Sequence, residues 1–372
     1  MRALILTCNT GGGHNACAKA LQQSFQNHGT ECDIADAIAF ASLRLSRFMS
    51  WGHSTMYRRI PKLFKLGYTF SEKHPALLNS ERFFRRTRKD SAQRLYAYIT
   101  ENNYDTVLCT HVFSSLLVSQ MLKACPMIIK TAFIATDYTC SPGTAASGID
   151  LYFIPHESII DEYVSCGIEK RKIIPSGIPI NNRFYTHNDK SKAKQALGLD
   201  VNSGHILMMC GSMGCGPILE LTKAFMKKSD DSFEISIICG TNSKLKAELD
   251  MLCKNSSHIH VRGYVDDMAE LMDSADIFLT KAGGLSTTEA AAKALPMVFV
   301  NAVAGCETHN MNFFLERKCA ATANDTDALV DVCMSLLKSP GKLEKMSDEL
   351  ACLCSNNAAE LVYSCMNAFN VK

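Results

Sequence analysis

No apolar stretch of roughly eighteen residues interrupts this chain of 372, so no membrane-spanning helix is expected. No Cys-x-x-Cys pair occurs among its 17 cysteines, which leaves a zinc site without paired ligands. The one close pair, Cys352-Leu353-Cys354, falls in a helical pattern, where neighbours two apart face different ways. Cysteines such as Cys109, Cys210 and Cys239 lie in apolar runs and read as small buried hydrophobes in a reducing compartment. Also missing are the G-x-G-x-x-G dinucleotide fingerprint, the P-loop Lys-Ser/Thr and a compelling D-x-D metal-ligand pair. Met1-Arg2-Ala3-Leu4-Ile5-Leu6 runs straight into a glycine loop and reads as a first strand, not a signal peptide.

What is present is a repeated strand–glycine–helix corner. Length favours two domains, and apolar strand patterns alternate with helical ones in both halves. The first half has strand candidates at Ala3–Thr7, Glu31–Ala35, Thr106–Thr110, Thr131–Thr136, Leu151–Ile154 and Lys172–Pro175. The second has them at Ile206–Cys210, Glu234–Cys239, His260–Arg262, Ile277–Thr280 and Met297–Val300. The connector Ser176–Asn182, rich in Gly, Pro and Asn, sets the boundary near Arg183. The expected organisation is an α/β chain of two Rossmann-like doubly wound domains facing an interdomain cleft. It comprises an N-terminal domain over residues 1–183, a second over 184–345, and a helical segment over 346–372 that can pack back on the first.

Each glycine corner presents unpaired N–H groups and the positive end of a helix dipole, a setting for phosphate. In the first half, Gly11, Gly12 and Gly13 precede His14, with a helix expected from about Asn15. His14 is either a helix cap or a base acting on a substrate hydroxyl. In the second half, Gly211-Ser212-Met213-Gly214 leads to Pro217, which suits a first helical turn. Lys281-Ala282-Gly283-Gly284 leads to Ser286 and Thr287, expected as further donors, and to Glu289, whose carboxylate suits a ribose diol or simply a helix dipole. Glu307 and Asn310 lie three apart and face one way if helical, to read a hexose or to cap a helix. Asp266-Asp267 reads as a turn and helix cap rather than a metal pair.

The net charge of +2 hides an asymmetry. From Arg44 to Arg94 there are 13 Lys/Arg against 3 Asp/Glu, while the remainder holds 26 against 34. The basic stretch also carries eight aromatics, including Trp51, Phe83 and Phe84, beside Arg82, Arg85, Arg86 and Arg88. Cations mixed with aromatics suit an anionic membrane surface or nucleic acid. The membrane is the expected partner, and nucleic acid is not.

The segments Gly211–Gly214, Gly263-Tyr264-Val265-Asp266-Asp267-Met268, Ala275-Asp276, Gly283–Glu289, Glu307 and Asn310, in that order, resemble the GT-B glycosyltransferases. That group includes plant galactolipid synthases, bacterial diacylglycerol glucosyltransferases and the GlcNAc transferase that makes lipid II. Gly11-Gly12-Gly13-His14 with Ala18, Thr136-Asp137-Tyr138 and the basic insertion are similar to the galactolipid-synthase branch.

The resemblance implies a UDP-sugar as co-substrate, with no cofactor and no metal. Tyr264 and the Val265 backbone would meet uracil and Glu289 the ribose. Ser212, Gly283 and Gly284 would hold the diphosphate, in a donor site that also takes in Gly211, Met213, Gly214, Lys281, Ser286 and Thr287. Glu307 and Asn310 would read the hexose, with His14 and Asp137 on the acceptor side. Many relatives have Gln where this chain has Cys306, which leaves the hexose open. The expected activity is inverting transfer of a hexose from a UDP-hexose to a membrane-lipid hydroxyl, diacylglycerol first. Such a protein would be cytoplasmic and peripheral to the inner face of the cell membrane. GlcNAc transfer to a polyprenyl-diphosphate lipid, or a membrane-associated UDP-sugar sensor without turnover, are the alternatives.

Overall fold

The computed structural model describes residues 1–8, 12–41, 85–228, 233–300, 305–354 and 356–369. The expected membrane residues Trp51, Arg82, Phe83 and Phe84, the side chains of Arg85, Arg86 and Arg88, and Gly11 lie outside the described residues.

The chain divides into two units, Met1–Asn181 with Val303–Cys306 and Asn356–Lys372, and Asn182–Ala302 with Glu307–Ser355. The first holds strands β1 (Arg2–Thr7), β2 (Glu31–Asp36), β3 (Thr106–Cys109), β4 (Lys130–Ile134), β5 (Leu151–Ile154) and β6 (Ile173–Pro175). They form one sheet in the order β2-β1-β3-β4-β5-β6, and every pair is parallel. Helices therefore cover both faces. This explains why Ala3, Leu4, Ile5 and Leu6 are all fully buried instead of alternating in and out. Each large side chain so buried is worth about 1.5–3 kcal/mol.

The last described helix, Ala358–Ala368, belongs to this first unit. Tyr363 meets Phe25 edge-on at 5.1 Å and stacks on His28 at 4.1 Å. His28 Nε2 lies 2.6 Å from Glu360 Oε2, and Lys130 Nζ donates to the Met366 carbonyl. The preceding helix, Pro340–Leu353, stays with the second unit. The segment expected over 346–372 is thus divided between the two units.

The second unit has β7 (Gly204–Met209), β8 (Phe233–Ile238), β9 (Ile259–Arg262), β10 (Ile277–Thr280), β11 (Met297–Phe299) and β12 (Ala320–Thr322). Their order, β12-β11-β10-β7-β8-β9, is the doubly wound order of dinucleotide-binding folds. Strand β12 has no counterpart among the expected strands. Ala320-Ala321-Thr322 offers only small side chains, and it is an edge strand paired to β11 alone. The helices whose patterns start at about Asn15, Ser286 and Asn310 begin earlier, at Gly12, Gly284 and Cys306. Their first turns carry glycine or polar residues that local propensity assigns to loops.

The cysteines are free thiols, nine of them buried, but Cys166 and Cys352 are exposed and do not fit the description of buried hydrophobes. Among the described residues, no helix is long and apolar enough to cross a membrane, and no three His, Cys, Asp or Glu side chains cluster as a metal site would require.

Candidate active site

In the second unit the strand order reverses between β7 and β10, which lie side by side with Ile206 opposite Ile277. Ligands of such sheets bind beyond the carboxyl ends of strands at this switch point. Both glycine corners are there. Gly211–Gly216 leaves β7, and Lys281–Gly283 leaves β10.

The first corner is a tight double turn, in which Gly214 N–H donates to the Gly211 carbonyl and Cys215 N–H to the Cys210 carbonyl. Ser212 is exposed at its tip and Met213 is half-buried. Gly214 has φ +56° and touches the next loop, where a Cβ would come within 2.1 Å of Cys239 O. Only glycine meets both conditions. Gly211 is crossed by the Lys281 side chain, whose Cε would lie 2.8 Å from a Cβ at that position. Lys281 Nζ in turn donates to Glu307 Oε1 at 2.6 Å. Glu307 is buried in the first turn of the helix Cys306–Glu316. The fold thus brings together three residues distant in sequence and places an ammonium group beside the glycine loop.

At the second corner, Gly283 opens the helix Gly284–Ala292 with no side-chain cap. Its first-turn N–H groups point beyond the sheet, with Ser286 half-buried beside them. Two of the expected ligand residues have partners within the protein. Thr287 is fully buried and its hydroxyl is directed to the Gly283 and Gly284 carbonyls. Asn310 is also fully buried, and its amide donates to the Ala282 carbonyl at 3.0 Å. It supports the loop from beneath.

One turn into the same helix, Glu289 is half-buried. Burial pushes its carboxyl up to about 8, against a smaller pull from Arg183. Arg183 was legible only as a boundary residue. Its guanidinium donates to the Asp266 carbonyl at 2.6 Å and lies 3.8 Å from Asp267 Oδ1. Tyr264, on the same loop, is 64% exposed, a free aromatic face, and Val265 is half-buried. Asp267 caps the helix Met268–Ser274, as its position after the turn implies. A D-x-D sequence at Asp325-Thr326-Asp327 does likewise for the helix Thr326–Leu337.

In the first unit the order reverses between β1 and β3, and His14 lies at this point. Gly12, exposed, and Gly13, half-buried, form the helix's first residues, so His14 stands in its first turn and not before it. Its Nδ1 is 2.8 Å from the Thr110 carbonyl at the end of β3 and 3.2 Å from Thr136 Oγ1 beyond β4. Burial lowers its pKa below the ordinary 6.5, so the imidazole is neutral at pH 7. Its ring meets His111 edge-on at 4.6 Å. His111 is a residue the sequence did not single out; it caps the helix Val112–Ala124 by accepting from Phe113 N–H. Asp137, half-buried, follows Thr136 directly.

A cavity of about 390 Å³ lies at the opposite, amino end of the second sheet, lined by Lys190, Asp273, Asp276 and Lys293 among others. These four charged side chains are held in ion pairs. Lys293 meets Asp273 at 2.7 Å, and Lys190 and Lys194 meet Asp276 at 2.6 and 3.3 Å. The glycine corners remain the candidate site.

Comparison with known proteins agrees with this geometry. Residues 14–180 match the family model for monogalactosyldiacylglycerol (MGDG) synthase, and residues 205–362 match the glycosyltransferase family 28 C-terminal domain. The processive diacylglycerol beta-glucosyltransferase of Bacillus pumilus is 26% identical over 364 residues, covering 97% of this chain and 93% of that protein. The enzyme of the same name from Bacillus subtilis is 25% identical with the same coverage. Among solved structures, MurG of Acinetobacter baumannii aligns with a TM-score of 0.68 at 12% identity over 99% of both chains. A UDP-GlcNAc 2-epimerase from Neisseria meningitidis, bound to UDP-GlcNAc, aligns with 0.66 at 14% identity over 99% of this chain and 100% of that one. Transferases and epimerases share this architecture, so the fold alone does not choose the reaction. The two family models do, and the chain is a glycosyltransferase of the GT-B fold that resembles the galactolipid synthases and processive diacylglycerol glucosyltransferases.

Proposed function

We propose that this protein transfers a hexose from a UDP-sugar to a lipid hydroxyl, diacylglycerol in the first instance, with inversion at the anomeric carbon. The observation that carries the donor half is the convergence at the β7/β10 switch point of the Gly211–Gly216 loop, the Lys281 ammonium and the uncapped helix beginning at Gly284. Together they supply donors and positive charge for a diphosphate. Tyr264 offers its open face to uracil, and Glu289 offers oxygens to the ribose. Glu307 is the residue left to meet the hexose, through or beside Lys281. The lipid acceptor and the glucosyl group are supported by the names of the bacterial relatives.

In the reaction, His14 Nε2 takes the proton of the acceptor hydroxyl as that oxygen bonds to the anomeric carbon. The bond from that carbon to the diphosphate oxygen breaks, and UDP leaves with its charge held by loop N–H groups and Lys281. Asp137 is the second candidate for the base. A protein working this way is peripheral, at the inner face of the cell membrane, and needs no metal. The test incubates purified full-length protein with UDP-glucose, UDP-galactose and UDP-GlcNAc in turn. Diacylglycerol or a polyprenyl-diphosphate lipid is the acceptor, with and without EDTA, and products are read by mass. Hexosyl-diacylglycerol formed equally in EDTA is expected. Sugar found only on the polyprenyl lipid, or UDP bound without any turnover, would replace this reading.

A further inference from the structure

The loop after β8 was not among the expected site segments, yet it lies behind the donor phosphate loop. Thr241 N–H donates to the Ser212 carbonyl at 2.9 Å, and Asn242 Nδ2 donates to the Gly214 carbonyl at 3.0 Å. The two backbones touch. A Cβ on Gly240 would fall within 2.1 Å of Ser212 O, just as one on Gly214 would reach Cys239 O. Neither loop can shift without the other. Because a peptide group is planar and trans, tying the Ser212 carbonyl to this loop aims the Met213 N–H away from it.

Asn242 has a second bond. Its Oδ1 accepts from Leu245 N–H at 3.1 Å and caps the helix Ser243–Leu252. The two bonds fix the amide's orientation, since the helix N–H needs an acceptor and the Gly214 carbonyl needs a donor. We propose that Asn242 is a positioning residue for glycosyl transfer: its NH₂ group holds the Gly211–Gly216 loop in the shape that receives the donor diphosphate. This rests on the donor-site reading given above.

Capping and clamping separate by mutation. Asn242→Asp keeps an oxygen for the cap, at which Asp is as good as Asn, but turns a carboxylate oxygen towards the Gly214 carbonyl. Asn242→Ser also caps but is too short to reach that carbonyl. Thermal melts, calorimetric titration with UDP and steady-state kinetics are measured on the full chain. Both variants are expected to melt close to wild type, to bind UDP about tenfold more weakly, and to raise donor KM by a similar factor. The lipid KM should not change. Asn242→Ala should lower the melting temperature as well. Wild-type UDP affinity in the Asp and Ser variants would overturn the proposal and leave Asn242 as a cap. Failure of the wild-type protein to bind UDP would instead remove the donor site itself.

Discussion

His14 donates its Nδ1 proton to the Thr110 carbonyl 2.8 Å away. A carbonyl can only accept, so this bond fixes the tautomer and leaves Nε2 with the lone pair. A base on a short helix-borne side chain, anchored to the end of a neighbouring strand, is held in one orientation. His14→Ala should therefore lower kcat by about 10²–10⁴-fold with little change in melting temperature. Because burial depresses the imidazole pKa below 6.5, the acid limb of kcat/KM should fall below pH 6.5. An acid limb above that value would mean that another group sets it.

Asp137 competes for the same role. It follows Thr136, whose hydroxyl shares the Nδ1 side of His14, so the two candidates are neighbours in one corner. Asp137→Asn keeps the shape and removes the charge. If His14 is the base, Asp137→Asn should leave most of the turnover and shift the acceptor KM. Abolished turnover in Asp137→Asn, with His14→Ala largely active, would transfer the base role to Asp137.

The Lys281–Glu307 pair allows stability and donor binding to be tested together. Glu307 has a side chain only 9% exposed, against 23% for Lys281. Lys281→Met leaves the carboxylate buried without its cation and should cost about 3 kcal/mol of stability. Adding Glu307→Met should restore the melting temperature, since an apolar pair of similar size tolerates the site. UDP affinity should stay low in both variants. Recovery of affinity in the double variant would show that Lys281 contributes packing and no charge to the diphosphate.

The parallel strands were legible because both sheet faces are covered, which writes them as unbroken apolar runs such as Ala3–Leu6 and Ile277–Leu279. The exception, β12, has no side chain larger than threonine. Corners at Gly211 and Gly283 were legible too, because glycine after an apolar strand marks a special turn. What sequence could not supply was depth. Thr287 and Asn310 have the chemistry of ligand-facing residues, yet both lie under the loop and bond its carbonyls. Arg183 marked only the domain boundary, and Thr241-Asn242 drew no attention in the sequence. Their partners, Asp266 and Gly214, are 83 and 28 positions away, so only the fold joins them.

The basic stretch can be tested independently of its structure. Thirteen cations face three acids between Arg44 and Arg94. Each cation near an anionic bilayer adds about 1 kcal/mol, screened by salt. Arg82, Arg85, Arg86 and Arg88 changed together to Ser should reduce sedimentation with phosphatidylglycerol vesicles and activity on lipid, with UDP affinity unchanged. Equal binding of wild type to neutral and anionic vesicles would exclude an electrostatic anchor. Salt-dependent binding to RNA, with none to vesicles, would reassign the stretch.

Glu289 yields the last prediction, through pH. Its carboxyl titrates near 8 in the folded protein, mainly because it is desolvated, against an ordinary 4.5. Between those values the folded state holds a proton that the unfolded chain has released. Stability therefore falls as pH rises through this window and levels off above it. Glu289→Gln carries no such proton. It should melt with wild type near pH 4.5 and become more stable than wild type towards pH 8, by a few kcal/mol at most. Donor binding should run the other way. If the carboxylate is the form that accepts the ribose hydroxyls, UDP binding at pH 7 releases a proton, and wild-type affinity climbs between pH 7 and 9. Calorimetry in buffers of different ionisation enthalpy counts that proton. In Glu289→Gln the proton release should vanish and affinity should fall by about 1–3 kcal/mol. UDP affinity that is flat with pH and equal in the two proteins would take Glu289 out of the nucleotide site, even if the stability difference appears as described.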